Sequence, residues 1–137
     1  GTITPASGFV GPLGALVIGT TAGTVCFIAT NFMKRVLHVD DSLDVFPVHA
    51  VGGMIGTVLT GVFAAPTLGG VGYAEGIDMG QQVTTQLIGV GVTVPWSGII
   101  TLVILGLIYV TVGLRVSREE EIEGLDLSLH NETVYNP

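Results

Sequence analysis

Three long runs of apolar residues, separated by short polar segments, dominate the chain. They cover about residues 9–33, 44–65 and 81–116. About 20 residues of α-helix span the ~30 Å hydrocarbon core of a bilayer, so each run is long enough to cross a membrane. The pattern predicts an all-α membrane protein with three transmembrane helices.

Glycine positions indicate where these helices pack. Gly19 and Gly23 form a G-x-x-x-G in the first run. In the second run, small residues follow at spacings of three and four, namely Gly52, Gly53, Gly56, Thr57 and Gly61. Such faces allow close approach of helix backbones. Chance explains a single pair equally well in a chain with 21 glycines. In the third run, Pro95 predicts a bend.

The composition supports a membrane protein and excludes other classes. Only 11% of the 137 residues are charged, where a soluble domain has about 25%. Four basic residues are too few for a nucleic-acid-binding surface. The single cysteine, Cys26, offers neither a disulfide framework nor a cysteine metal site. No phosphate loop, nucleophile elbow or metalloprotease signature occurs, so no enzyme activity, cofactor or metal is predicted.

The basic residues predict the orientation in the cell membrane. Lys34 and Arg35 follow the first run, Arg115 and Arg118 follow the third, and the loop at 66–80 has none. The positive-inside rule therefore places the first loop and the C-terminus in the cytoplasm and residues 66–80 outside. Three spans then require an outside N-terminus. The absence of an initiator Met before Gly1 agrees with an internal piece of a longer protein.

The chain is expected to divide into a membrane part, 1–116, and a cytoplasmic tail, 117–137. The tail is polar and acidic, so a disordered, solvated segment is one interpretation. The pattern of Gly124, Asp126, His130 and Tyr135 indicates a more specific role, and both interpretations stay open.

His49 is the candidate functional residue. Between Asp44 and Glu75 it is the only titratable side chain apart from Tyr73. An ionisable group in a span is a functional hypothesis by default, and desolvation there favours a neutral imidazole. Three interpretations remain: a proton or substrate pathway, packing, and metal binding. The pathway is favoured, and metal ranks last because no second ligand lies at suitable spacing.

The acidic residues Asp40, Asp41 and Asp44 precede the second helix. Capping and pairing with the helix dipole explain them better than a cation site. Asp44 is predicted to be the N-cap, which puts Pro47 in the first turn, where its missing N–H is tolerated. His38, in the same loop, is expected to be solvated.

The residues of the second helix, from Asp40 to Ala64, resemble the tenth-helix signature of ammonium transporters, the Amt/Mep/Rh superfamily. The matching residues of the second helix are Asp40-Asp41, Asp44-Val45-Phe46, Val48-His49, Gly52-Gly53 and Leu59-Thr60-Gly61-Val62-Phe63-Ala64. Further matches are Pro5-Ala6, Gly8-Phe9, Gly69-Gly70-Val71-Gly72, Trp96-Ser97-Gly98, Thr111–Val116, Glu123–Asp126, His130, Glu132 and Tyr135. The resemblance covers essentially the whole chain.

The resemblance implies an eleven-span homotrimeric transporter in the lipid bilayer, of which this chain supplies the last three helices. It implies ammonium, ammonia or methylammonium as substrate. His49 would be the second of two pore histidines that relay a proton, and Val45 would face the inner pore. Gly124, Asp126, His130 and Tyr135 would form a regulatory tail that responds to a PII-type signalling protein.

The chain departs from the family pattern at three positions. Pro47 and Ala50 flank His49 where glycine is more common, and Asn131 replaces a glycine in the tail. Two rival functions also stand beside transport. One is an ammonium sensor that signals through its tail, and the other is a structural membrane subunit in which His49 only packs.

Overall fold

The computed structural model describes residues 2–125, and within this range the chain is helical and contains no strand. Three helical stretches, Pro12–Leu37, Phe46–Phe63 and Met79–Thr111, are long and apolar enough to cross a membrane. This confirms the predicted all-α architecture with three spans. The predicted tail residues Asp126, His130 and Tyr135 lie outside the described residues.

The helices and turns have the following bounds. Helix α1, Pro12–Phe32, continues into a π-helical turn, Met33–Leu37. A second π-helical turn, Phe46–Val51, leads into α2, Gly52–Phe63. Helix α3 is Met79–Thr111 and α4 is Arg118–Glu123. Short 3₁₀ turns occupy Thr4–Ala6 and Pro66–Leu68.

Two compact units make up the chain, one up to Val94 and one from Pro95 onward. The first contains α1, α2, the loops between them and the start of α3. The second contains the rest of α3 and α4.

Helices α1 and α2 pack antiparallel in the first unit. A Cβ added to Gly14 would lie 3.0 Å from the Cβ of Phe63, and one added to Gly52 would lie 3.0 Å from Sγ of Cys26. On α1 the buried residues are Gly14, Ile18 and Ala22, spaced by four. Side chains added at Gly19 or Gly23 would meet nothing within 4 Å in the described chain. The contact face of α1 here is therefore the Gly14 stripe and not the G-x-x-x-G.

The segment before α1 lies against the glycines of α2. A Cβ on Gly52 would lie 2.5 Å from Oγ1 of Thr2, and a Cβ on Gly56 would collide with the Thr2 carbonyl. Ala6, in the first 3₁₀ turn, is fully buried. Non-helical backbone at membrane depth is tolerated where protein covers it, and bare helix backbone provides the space. Two of the glycines on α2 thus serve packing.

The loop between α2 and α3 folds back over the end of α2. Gly70 donates to the Ala65 carbonyl, Gly72 donates to the Ala64 carbonyl at 2.8 Å, and Val71 donates to Phe9. The Tyr73 hydroxyl donates to the Gly61 carbonyl at 2.7 Å. The loop thus satisfies carbonyl groups that the C-terminal end of α2 would otherwise leave unpaired, and so stabilises the end of this helix.

A reciprocal cap starts α3. The Gln81 N–H donates to Asp78 Oδ1 at 2.8 Å, and the Asp78 N–H donates to Gln81 Oε1 at 3.1 Å. The helix continues through Pro95, and no residue of it is buried in the described chain. It ends at Thr111 and not near 116, because Gly113 adopts a φ of 90° and donates back to the Ile108 carbonyl. The exposed apolar surface of α3 suits lipid or further protein.

Helix α4 begins with a capping box. The Glu120 N–H donates to the Ser117 hydroxyl, and the Ser117 N–H donates to a Glu120 carboxylate oxygen at 2.9 Å. Arg115 pairs with Glu121 at 2.7 Å. The first turns of the tail are therefore ordered helix, and Gly124 follows with a φ of 98°.

Candidate functional site around His49

His49 lies in the π-helical turn Phe46–Val51, at the start of the second span. Its side chain is exposed in this chain, and so is that of Val45. Pro47, between them, is fully buried. His49 and Val45 therefore lie on a surface of the first unit, away from the packing contacts with α1.

The start of this helix is capped by Asp41. The Val45 N–H donates to Asp41 Oδ1 and the Phe46 N–H donates to Asp41 Oδ2, each at 2.9 Å. The bonds from Phe46 and Val45 lower the pKa of the Asp41 carboxyl below its usual range, because they favour its charged form. Two carboxylate oxygens thus satisfy two of the four free N–H groups at the helix start.

The prediction that Asp44 caps this helix is wrong. The backbone of Asp44 adopts a φ of 54°, which lies outside the extended region typical of an N-cap residue. The Asp44 carboxylate pairs with the Lys34 ammonium group at 2.8 Å. This ion pair links the end of the first span to the start of the second. It is partly exposed, so its contribution to stability is small, at most about 1 kcal/mol.

The acidic cluster has no arrangement for a cation. The Asp41 carboxylate accepts hydrogen bonds from backbone N–H groups, and the Asp44 carboxylate pairs with Lys34. Asp40 is exposed beside them. No group of three or more potential metal ligands occurs among residues 2–125. His38 is exposed in the loop, and its Nδ1 lies 3.1 Å from the Val36 carbonyl. The cluster therefore organises the helix start.

Some of the predicted residues lie together in the structure. Asp41, Asp44 and Val45 lie at the beginning of the helix that carries His49. Gly124 belongs to the second unit. Sequence reasoning missed Asp41 as the cap, Thr2 as the residue that fills the glycine face, and the π-helical turn. The sequence carries no clear signal for that turn, because only the structure shows that Pro47 and not Val48 is buried.

A cavity of about 230 Å³ lies at the other end of α2. Thr60, Tyr73, Gln82 and Gln86 contribute polar groups to its wall. The Thr60 hydroxyl is engaged with the Gly56 carbonyl at 2.7 Å, and the Tyr73 hydroxyl with Gly61. Gln82 and Gln86 form no side-chain hydrogen bond within residues 2–125.

Long apolar helices, one with a single histidine at its start, define a multi-span membrane protein with an ionisable group in a span. The chain belongs to the Ammonium Transporter Family, whose sequence model matches residues 2–135. It is 47% identical over 136 residues to an ammonium transporter of Aquifex aeolicus, covering 98% of this chain and 31% of that protein. It is 44% identical over 135 residues to ammonium transporter Amt1 of Archaeoglobus fulgidus, covering 97% and 34%.

A third relative is an ammonium transporter of Bacillus subtilis, 37% identical over 135 residues, with 97% of this chain and 33% of that protein covered. The chain spans about one third of the length of the curated relatives it matches. The resemblance found in the sequence is thereby confirmed at the level of the family.

Proposed function

We propose that the protein of which this chain is part transports ammonium across the cell membrane. Membership of a family whose curated relatives are named ammonium transporters is the observation that carries this proposal. The three apolar spans supply the membrane part. Ammonium or methylammonium is the substrate in this proposal, and no cofactor takes part.

The charge of the substrate dictates the chemistry. Ammonium is a strongly hydrated cation, and moving it intact through an apolar pore costs several kcal/mol or more. Ammonia loses far less hydration. A pore that removes the proton at its mouth therefore conducts ammonia through apolar surroundings, provided that the proton crosses by another route.

His49 is proposed to be a member of that proton route. An imidazole accepts a proton on one nitrogen and donates one from the other, so it relays protons without a permanent buried charge. Its exposed position at the start of a span, on a helix without other ionisable groups between Val45 and Phe63, supports this role. Val45, one turn earlier on the same helix, is proposed to line the inner part of the pore.

The assembly and the tail extend the proposal. The complete chains are proposed to form a homotrimer. Residues 34–43 and the C-terminus are proposed to lie in the cytoplasm, an orientation that the positions of Lys34, Arg35, Arg115 and Arg118 support. The ordered helix α4 starts a tail that is proposed to be regulatory, with Gly124, Asp126, His130 and Tyr135 as its contact residues. A PII-type signalling protein is the proposed partner.

The test compares His49→Asn with His38→Asn in the complete protein. Uptake of methylammonium and the accompanying current are measured in the same membranes. We expect His49→Asn to lose the current, because an amide cannot relay a proton at this position, and His38→Asn to keep it, because His38 lies exposed in the loop. Full current in the His49→Asn protein would exclude the relay role.

A further inference from the structure

The buried residues at the start of the second span do not follow the spacing of an α-helix. Pro47, Gly52, Gly56 and Thr60 are buried, at intervals of five, four and four residues. Gly61 is buried as well, but it lies against Val83 and Gln86 of α3 and so belongs to another contact. Residues four apart share a face of an α-helix, whereas residues five apart do not. Some feature must bring Pro47 onto the same face as Gly52.

The π-helical turn Phe46–Val51 is that feature. The Gly52 N–H is shared between the carbonyls of His49 and Pro47, three and five residues earlier, while the Val48 N–H donates to the Asp44 carbonyl, four residues earlier. A π turn accommodates one extra residue, so Pro47 is stacked under Gly52. In an uninterrupted α-helix Val48 would be the buried residue, yet Val48 is 40% exposed.

The extra residue changes the direction of His49. In an α-helix, His49 would precede Gly52 by three residues and lie about 60° from the buried stripe. In a turn that closes after five residues, His49 lies two residues past Pro47, about 140° from that stripe. The turn therefore rotates the imidazole away from α1 and onto the exposed side.

Pro47 is well suited to hold this register. It is fully buried, and it lacks an N–H, so its position in the first turn leaves no donor unpaired. The Asp41 carboxylate fixes the two preceding N–H groups, of Val45 and Phe46. The Asp41 cap and the buried Pro47 ring together fix the start of the helix.

We propose that the π-helical turn Phe46–Val51, held in register by Pro47, positions His49 toward the pore. That His49 points toward a pore rests on the proposed function. The rotation of the His49 side chain away from α1 is a separate structural claim. Pro47 is a positioning residue here, since it acts through the direction of His49.

Two single-residue deletions test the rotation. The complete protein is used with all of its native cysteines, Cys26 included, replaced by alanine (the Cys26→Ala background). His49→Cys is then introduced, and position 49 is labelled with a small methanethiosulfonate reagent. Deletion of Val48 converts the turn to α-helical spacing, so position 49, which still precedes Gly52 by three residues, comes to lie about 60° from the buried stripe. Deletion of Ala50 removes the same extra residue but leaves position 49 two residues past Pro47, on the far side.

We expect labelling to be lost on deletion of Val48 and retained on deletion of Ala50. A role of the segment in stability alone would affect both deletions alike. Unchanged labelling without Val48, or equal loss in both proteins, would overturn the proposal.

Transport measurements separate this inference from the proposed function. With His49 restored, deletion of Val48 is expected to abolish the current. If His49→Asn keeps the current while the labelling pattern holds, the relay falls and the positioning stands. If the deletions prevent folding, the pair Pro47→Gln and Val48→Gln decides. The proposed register requires Pro47→Gln to lower the melting temperature more, and equal or reversed losses would refute it.

Discussion

Asp41 shows how one side chain organises the start of a span. Its two oxygens accept from the N–H groups of Val45 and Phe46, and the neighbouring Asp44 is left to pair with Lys34. Sequence reasoning recognised that the acidic residues serve capping. It chose Asp44 because the N-cap directly precedes the first helical residue, whereas here a tight turn brings Asp41 back over the helix start.

Asp41→Asn is predicted to weaken this cap. An amide presents a single, uncharged acceptor oxygen, so one of the two N–H groups loses its acceptor and the other keeps only a neutral one. We expect faster hydrogen exchange at the amides of Val45 and Phe46, measured by mass spectrometry. Asp40→Asn is the matched control, because Asp40 is an exposed neighbour of the same charge. Equal exchange in the two variants would contradict the assignment.

The same cap predicts a pH dependence. The pKa of Asp41 is lowered in the folded protein, so its stabilising contribution is complete above the usual carboxyl pKa of 3.8 and is lost as the pH falls through the lower, folded value. Protection of the Val45 and Phe46 amides should therefore persist through mild acid in the unmodified protein and be less sensitive to acid in the Asp41→Asn variant. A loss of protection already near neutral pH would count against it.

At the scale of elements, the second span joins two kinds of helix. Its α-helical part was predictable from glycines and apolar residues at spacings of three and four. Its π-helical turn was not, because the buried residues Pro47 and Gly52 are five apart and periodicity alone does not tell which neighbour is buried. The turn becomes evident only when α1 shows which side of the helix is covered.

The loop after α2 is a second element whose geometry depends on contacts distant in the sequence. Tyr73 donates to the Gly61 carbonyl at 2.7 Å and lies 3.2 Å from the Val62 carbonyl. Burial, with the nearby charge of Asp78 as a smaller cause, raises the pKa of the Tyr73 hydroxyl, so it remains a donor. The sequence singled out Tyr73 only as a titratable group, since its partners are backbone atoms.

Tyr73→Phe is predicted to destabilise this connection by about 1 kcal/mol, because a carbonyl at the end of α2 loses its donor. Tyr109→Phe is the control, since Tyr109 lies largely exposed on α3. Thermal unfolding of the detergent-solubilised proteins measures the difference. The assignment fails if Tyr109→Phe costs as much as Tyr73→Phe.

At the scale of the whole molecule, the three spanning helices followed from the apolar runs, whereas the short helix α4 in the tail did not. The family followed from motifs that extend along the chain. The exposed apolar side chains of α3 are covered by lipid or by other parts of the complete protein. Hydrophobicity alone does not distinguish the two. The orientation, in contrast, depends on only four basic residues and is directly testable.

Single cysteines on either side of the membrane test that orientation. In the Cys26→Ala background, Ser42→Cys is expected to react with a membrane-impermeant thiol reagent only from the cytoplasmic side. Glu75→Cys is expected to react only from outside, because the loop around it lacks basic residues. Intact cells and inside-out vesicles provide the two conditions. Reversed labelling would invert the proposed topology.

The contact of Thr2 with Gly56 has a consequence for the order of folding. The segment before α1 is made first, but the surface on which it rests belongs to α2, which is made later and must insert before that surface exists. The first span must therefore enter the bilayer while its leading segment is still without its final support. Docking of Thr2 and burial of Ala6 then become late steps, completed only when the second span stands beside the first. A bulkier residue at Gly56 would leave both helices inserted and arrest assembly at this last step.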